Sequence, residues 1–204
     1  MTTVRTLETA LLGLCLLTAG CQNPVSTRDF YVLSAQRQGP AASQAGPEVL
    51  EVRRLGVDAA FASRELVYRR TEFGYDTDYY RQFLVPPAQM LTERTRDWLD
   101  RSGLFARVLC PGHLMDPTCV LEGHVLALYG DFRDAASPRA VLEIRFCAVG
   151  QKAGRDQVLL TRTYARSEPL KESKTEALIP ALDLCLAQVL ADLEQDLIKT
   201  LGNE

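Results

Sequence analysis

Leu178, Leu182, Cys185, Leu186, Val189, Leu193 and Leu197 recur at helical spacing through Glu176–Leu201 and form one broad apolar stripe. A stripe that wide on one long helix has to be covered by a second layer. The preceding segment supplies that layer. Val141–Val149 alternates strictly, with Leu142, Ile144, Phe146 and Ala148 on one face and Glu143 and Arg145 on the other. Cys147 falls on the side of Glu143 and Arg145. Cys119–Tyr129 reads as a neighbouring strand, with Leu121, Val125, Ala127 and Tyr129 inward and Glu122 and His124 outward. Val158–Arg166 is a third strand whose inward face the pattern does not assign. Pro180 marks the true start of the helix, because proline is tolerated in a first turn.

Upstream, Asp29–Leu33 and Val49–Val57 predict two further strands. Leu66–Arg70 and Tyr75–Leu84 flank Thr71–Gly74 as a hairpin. Pro86-Pro87 opens a second helix that carries Leu91, Thr95, Trp98, Leu99 and Ser102 on one face and ends at Gly103. Together these elements predict an α/β (α+β) fold: a two-layer domain, with a largely antiparallel sheet and two main helices packed on it. It forms a single domain over residues 29–204. Within it, 34–47 is rich in Gln, Gly, Pro, Ala and Ser and reads as a flexible connection with nothing to bury.

The N-terminus has a different character. Arg5 precedes an apolar run, Ala10–Leu17, which is too short for the roughly 20 residues of a membrane-spanning helix. Small residues then lead to Cys21, in the sequence Leu17-Thr18-Ala19-Gly20-Cys21. The pattern resembles a bacterial lipoprotein signal, with Thr18 at the position where leucine is usual. It predicts a cleaved signal at 1–20, lipid attachment at Cys21 and a short tether over 21–28. Several acyl chains hold a protein to a bilayer essentially for good, whereas one binds reversibly. The formal net charge is −3, with no Lys/Arg block, so nucleic acid is excluded as a partner. Membrane attachment therefore falls to the acyl chains.

Cys110 and Cys119 bracket a Pro/Gly-containing loop between apolar flanks, and an exported protein meets oxidising conditions. A disulfide closing a hairpin there is the expectation, contributing about 2.5 kcal/mol in the chain-entropy account. Two unpaired thiols flanking a turn is the alternative. Cys147 and Cys185 read as single thiols.

Motifs for chemistry are missing. The chain has no Gly-x-x-x-x-Gly-Lys-Ser/Thr loop for phosphates and no Gly-x-Ser-x-Gly elbow. His113 and His124 stand apart, without the convergent ligands that a zinc site needs. No catalytic residue, metal or cofactor is therefore assigned. Asp76, Asp78, Asp131 and Asp134 sit near turns, where aspartate is common for its local hydrogen bonds. Aromatic residues crowd the hairpin instead. Such residues pair well across strands, and tyrosine is also enriched at interfaces. Tyr75, Tyr79, Tyr80 and Phe83 are the candidate partner surface.

The ordered set Phe30-Tyr31-Val32-Leu33-Ser34, Leu66-Val67-Tyr68-Arg69, Tyr79-Tyr80, Phe83-Leu84-Val85-Pro86-Pro87, Trp98-Leu99, Ser102-Gly103-Leu104-Phe105 and Leu128-Tyr129-Gly130-Asp131-Phe132 is similar to the ABC-type transport auxiliary lipoproteins. In much of that family a Trp stands where this chain has Phe83. The resemblance implies a non-enzymatic accessory that accompanies an MCE protein and its ABC permease and ATPase in moving lipids across the Gram-negative envelope. It implies anchoring at a membrane facing the periplasm. Gln22, where an inner-membrane retention signal would place Asp, points to the outer membrane. A homo-oligomer stays open, and a scaffold or regulator of a cell-wall or secretion machine is the alternative function.

Overall fold

The strict alternation of Val141–Val149 becomes the centre of the sheet. A computed structural model describes residues 27–152, 155–172 and 174–202. Its strands are β1 (Asp29–Tyr31), β2 (Val49–Val52), β3 (Gly56–Val57), β4 (Glu65–Arg69), β5 (Tyr75–Phe83), β6 (Arg107–Val108), β7 (Cys119–Asp131), β8 (Arg139–Lys152) and β9 (Arg155–Pro169). The helices are α1 (Pro87–Ser102) and α2 (Leu178–Leu201). β7, β8 and β9 form an antiparallel meander, in which Val125 pairs with Ile144 and Ile144 with Tyr164. Leu142, Ile144, Phe146 and Ala148 are fully buried beneath the α2 stripe, as their alternation requires. Both helices lie on this face, so the domain has two layers.

The other edge of β7 is shared by three short parallel strands placed end to end. Leu50 of β2 pairs with Cys119, Gly56 of β3 with His124, and Tyr68 of β4 with Gly130. The single strand expected over Val49–Val57 is thus two strands, interrupted at 53–55. From β2 the sheet continues to β6, and from β4 it continues through β5 to β1. The sheet is therefore forked, its two arms leaving β7 near opposite ends. Antiparallel ladders carry its long pairings and the parallel ones are short.

Two sequence expectations fail for nonlocal reasons. Cys110 and Cys119 are free thiols, Cys110 exposed and Cys119 buried. Leu50 of β2 pairs with Val108 on one side and Cys119 on the other. The two cysteine-bearing segments are thus separated by an intervening strand, about 10 Å at ordinary strand spacing. A disulfide needs Cα atoms within about 7 Å. The same pairing makes β6 and β7 parallel, so their connection is no hairpin. Tyr129 also changes sides. β7 pairs Val125 with Ile144 and Ala127 with Glu143, leaving Leu126 as the extra residue of a bulge. Beyond it Leu128 points inward and Tyr129 outward.

α1 begins at Pro87 and stops at Gly103, whose φ of 67° is the left-handed conformation that glycine adopts freely. Leu91, Thr95, Trp98, Leu99 and Ser102 are all buried, as their spacing predicts. Residues 34–47 form no helix or strand, yet they have something to bury. Ala35 is buried, and the Arg37 guanidinium donates from Nε and Nη2 to Glu194 of α2 at 2.9 and 2.8 Å. The chain here closes the seam between the helices.

Candidate functional site

The four candidate aromatic residues separate into three environments. Phe83 is only 2 % exposed and packs in the core, which removes it from any partner surface. Its inward turn follows from β5 pairing: Tyr31 of β1 lies opposite it and also packs on the core.

Tyr79 and Tyr80 owe their exposure to an irregularity in β5. Leu66 pairs with Asp78 while its neighbour Glu65 pairs with Gln82, so residues 79–81 loop out of the ladder. Asp78 holds this loop. Its Oδ1 accepts the backbone N–H groups of Tyr80 and Arg81 at 3.0 and 3.1 Å, and its Oδ2 accepts the Tyr68 hydroxyl at 3.2 Å. Burial pushes the Tyr68 hydroxyl well above the usual tyrosine range, so it stays protonated and donates. Tyr79 and Tyr80 meet edge to face, with ring centroids 5.3 Å apart. Arg28 lies 4.1 Å above the Tyr79 ring and donates to its hydroxyl, so the chain arrives beside the loop.

The neighbouring apolar residues were not singled out from the sequence. Phe30, Val32 and Leu84 are each about half exposed. Phe30 and Val32 alternate with the inward Tyr31 and Leu33 and therefore face away from the helices. Leu84 donates its N–H to the Tyr31 carbonyl, and Arg64 bridges the group, lying 6.0 Å over the Phe30 ring and donating to the Leu84 carbonyl. The alternation within Phe30–Leu33 was the signal that could have found them.

Tyr75 stands elsewhere, on the helix-free face. Its ring meets Tyr129 edge-on at 5.6 Å and Phe61 at 6.3 Å, and Phe61 stacks on Tyr129 at 5.7 Å. Arg69 lies 5.5 Å over the Tyr75 ring. Nearby, hydrogen bonds from Arg133 hold the Asp131 carboxyl below its usual range. The β7 bulge is what brings Tyr129 into this cluster.

The clefts hold few free reactive groups. One of about 530 Å³ lies between β9 and α2, where Arg162 and Tyr164 both donate to Asp196 at 2.8 Å and Arg166 pairs with Asp192. Both carboxylates in it are thereby engaged. Another, of about 500 Å³, lies at the C-terminal end of α2 and has Glu48 as its one carboxylate. Burial first, and then Glu48, push the adjacent Cys119 thiol up to about 11, so it is neutral at pH 7. His124 Nε2 lies 2.7 Å from Asp58 Oδ1, while His113 Nδ1 contacts the Met115 carbonyl oxygen. Among the described residues no three His, Cys, Asp or Glu side chains converge as a metal site, and no helix is long and apolar enough to cross a membrane. Cys21 lies outside the described residues.

Solved structures share this overall fold. A protein from Xanthomonas campestris assigned to the DUF330 family superposes with a TM-score of 0.73 at 19% identity, covering 84% of this chain and 96% of its own. An uncharacterised protein superposes with a TM-score of 0.66 at 17% identity, covering 84% and 99%. No curated protein matches the chain. The family model for the ABC-type transport auxiliary lipoprotein component matches residues 31–194, from the inward Tyr31 of β1 to the Glu194 that joins the helices. By that match, which spans nearly the whole described domain, the chain belongs to the ABC-type transport auxiliary lipoprotein family.

Proposed function

We propose that this protein is a lipid-anchored, non-enzymatic accessory of an MCE/ABC-type lipid transport system. Residues 1–20 are removed, Cys21 carries the acyl chains, and the domain faces the periplasm from the outer membrane. There it docks the MCE protein, whose permease and ATPase complete the system. The observation that carries this reading is the family match, which begins at residue 31, close behind the lipobox-like run ending at Cys21. An aromatic cluster on the face of the sheet away from α1 and α2 supports it. On that face the half-exposed Tyr75, backed by Tyr129 and the buried Phe61, is the proposed contact for the MCE partner, because clustered aromatic residues are enriched at interfaces.

Affinity capture of the mature protein from detergent-solubilised membranes tests the proposal. Co-recovery of an MCE protein with its permease and ATPase is the expected result. Recovery of cell-wall or secretion components alone would replace it with the scaffold alternative.

A further inference from the structure

The exposed apolar residues at the β1 arm and the point where the chain leaves for Cys21 coincide. Tyr79 and Tyr80 are 54 % and 46 % exposed, and Phe30, Val32 and Leu84 continue the patch along the same edge. Arg28 contacts the Tyr79 ring directly. Six residues, 22–27, then remain between Arg28 and Cys21, a reach of at most about 25 Å when fully extended. We propose that this patch is a membrane-seating surface: Tyr79, Tyr80, Phe30, Val32 and Leu84 enter the headgroup region of the bilayer that holds the acyl chains of Cys21. The inference rests on the anchor at Cys21 given above and adds an orientation to it.

Three observations favour a lipid surface as the occupant. The tether is too short for a folded domain of ordinary thickness to stand between the patch and the bilayer. Tyrosine, with an apolar ring and a polar tip, suits the membrane–water boundary, and the Arg28 and Arg64 stems can lie along apolar surface with their charges toward the phosphates. The patch also lies on an outer margin of the sheet: among the described residues β1 pairs with β5 and with no other strand. The β2–β6 arm meets β7 separately, at Cys119–Leu121, and exposed Cys110 follows its outer strand β6. Because Arg81 pairs with Asp78 and Glu176, the patch has no large excess of positive charge, so zwitterionic lipid suffices.

The test uses mature protein purified from membranes and reconstituted into phosphatidylcholine vesicles, its mass recorded to count acyl chains. An environment-sensitive fluorophore is placed at Tyr80→Cys, and separately at Leu84→Cys, in a Cys110→Ser/Cys147→Ser background. Native Cys110, labelled in a Cys147→Ser protein, reports the β2–β6 arm. The expected result is a blue-shifted emission at both patch positions and at least threefold stronger quenching by lipids spin-labelled near the headgroup than at Cys110. Equal quenching on both arms of an acylated protein overturns the seating surface while leaving the anchor intact. A blue shift without lipid quenching means a second protein copy covers the patch, and overturns it as well. A mass without acyl chains overturns the anchor reading itself, and the orientation falls with it.

Discussion

The Trp98 indole N–H donates to Glu194 Oε2 at 2.8 Å, joining α1 to α2 through a nearly buried carboxylate. Arg37, from the irregular segment, supplies the opposite charge to the same group. Truncating one partner of such a buried cluster leaves the others desolvated and unpaired. Glu194→Ala should destabilise the domain by about 3 kcal/mol and Arg37→Ala by about 2 kcal/mol. Urea denaturation reads both as lowered midpoints, and the double variant should cost less than the sum.

The free cysteines should separate by access. Cys110 is exposed, whereas Cys119 and Cys185 are buried with burial-raised thiols, both near 11. A thiol reagent at pH 7 should modify Cys110 within minutes and leave Cys119 and Cys185 intact until denaturant is added. Peptide mapping of the protein after mild oxidation should find no Cys110–Cys119 bridge.

Exposure within the aromatic hairpin predicts opposite responses to similar truncations. Phe83→Ala should cost about 3–4 kcal/mol, as a large side chain removed from a core does. Tyr80→Ser should change stability by less than about 1 kcal/mol. Thermal unfolding of the two variants checks the difference directly.

Acid should weaken the α2–β9 contact. Burial alone would raise the Asp196 carboxyl, but the Tyr164 hydroxyl, Arg162 and Lys199 together hold it below its usual range. A carboxyl depressed in the folded state adds stability above its unfolded value, near about 4, and loses it as pH falls through the folded value. Asp196→Asn should therefore cost about 1–2 kcal/mol at pH 7, seen as a lower Tm, and the gap to wild type should narrow toward pH 3.

Gly123 marks a close approach between β7 and its surroundings. A Cβ there would stand 2.9 Å from Leu55 Cγ and 3.0 Å from the Phe146 ring. Gly123→Val should destabilise by about 2 kcal/mol through overpacking. Pairing it with Phe146→Leu should recover part of that loss in the same denaturation assay.

What the sequence made legible was local. The α2 stripe and the β8 alternation are periodicities read within one element, and every residue they marked as inward is buried. The one-residue bulge at Leu126 inverts the side of Tyr129 without leaving a compositional trace. β2 stands between β6 and β7, although more than fifty residues separate it from them in the chain, so no local pattern around Cys110 and Cys119 announces it. Glu194 finds Trp98 and Arg37 at sequence distances of 96 and 157 residues. For the aromatic set, residue type was visible and exposure was not. The loop held by Asp78 turns Tyr79 and Tyr80 outward, while the resumed ladder turns Phe83 inward.

The pairing of β1 has a mechanical meaning. This strand has three paired positions, all with β5, and it is the first strand of the described residues. Tension applied through the N-terminus loads the Arg28–Tyr79 contact and those three pairs before buried Leu33 and the Arg37–Glu194 clamp. With the chain anchored as proposed above, the edge strand would yield under such a load while both helices and the β7–β8–β9 meander keep their packing.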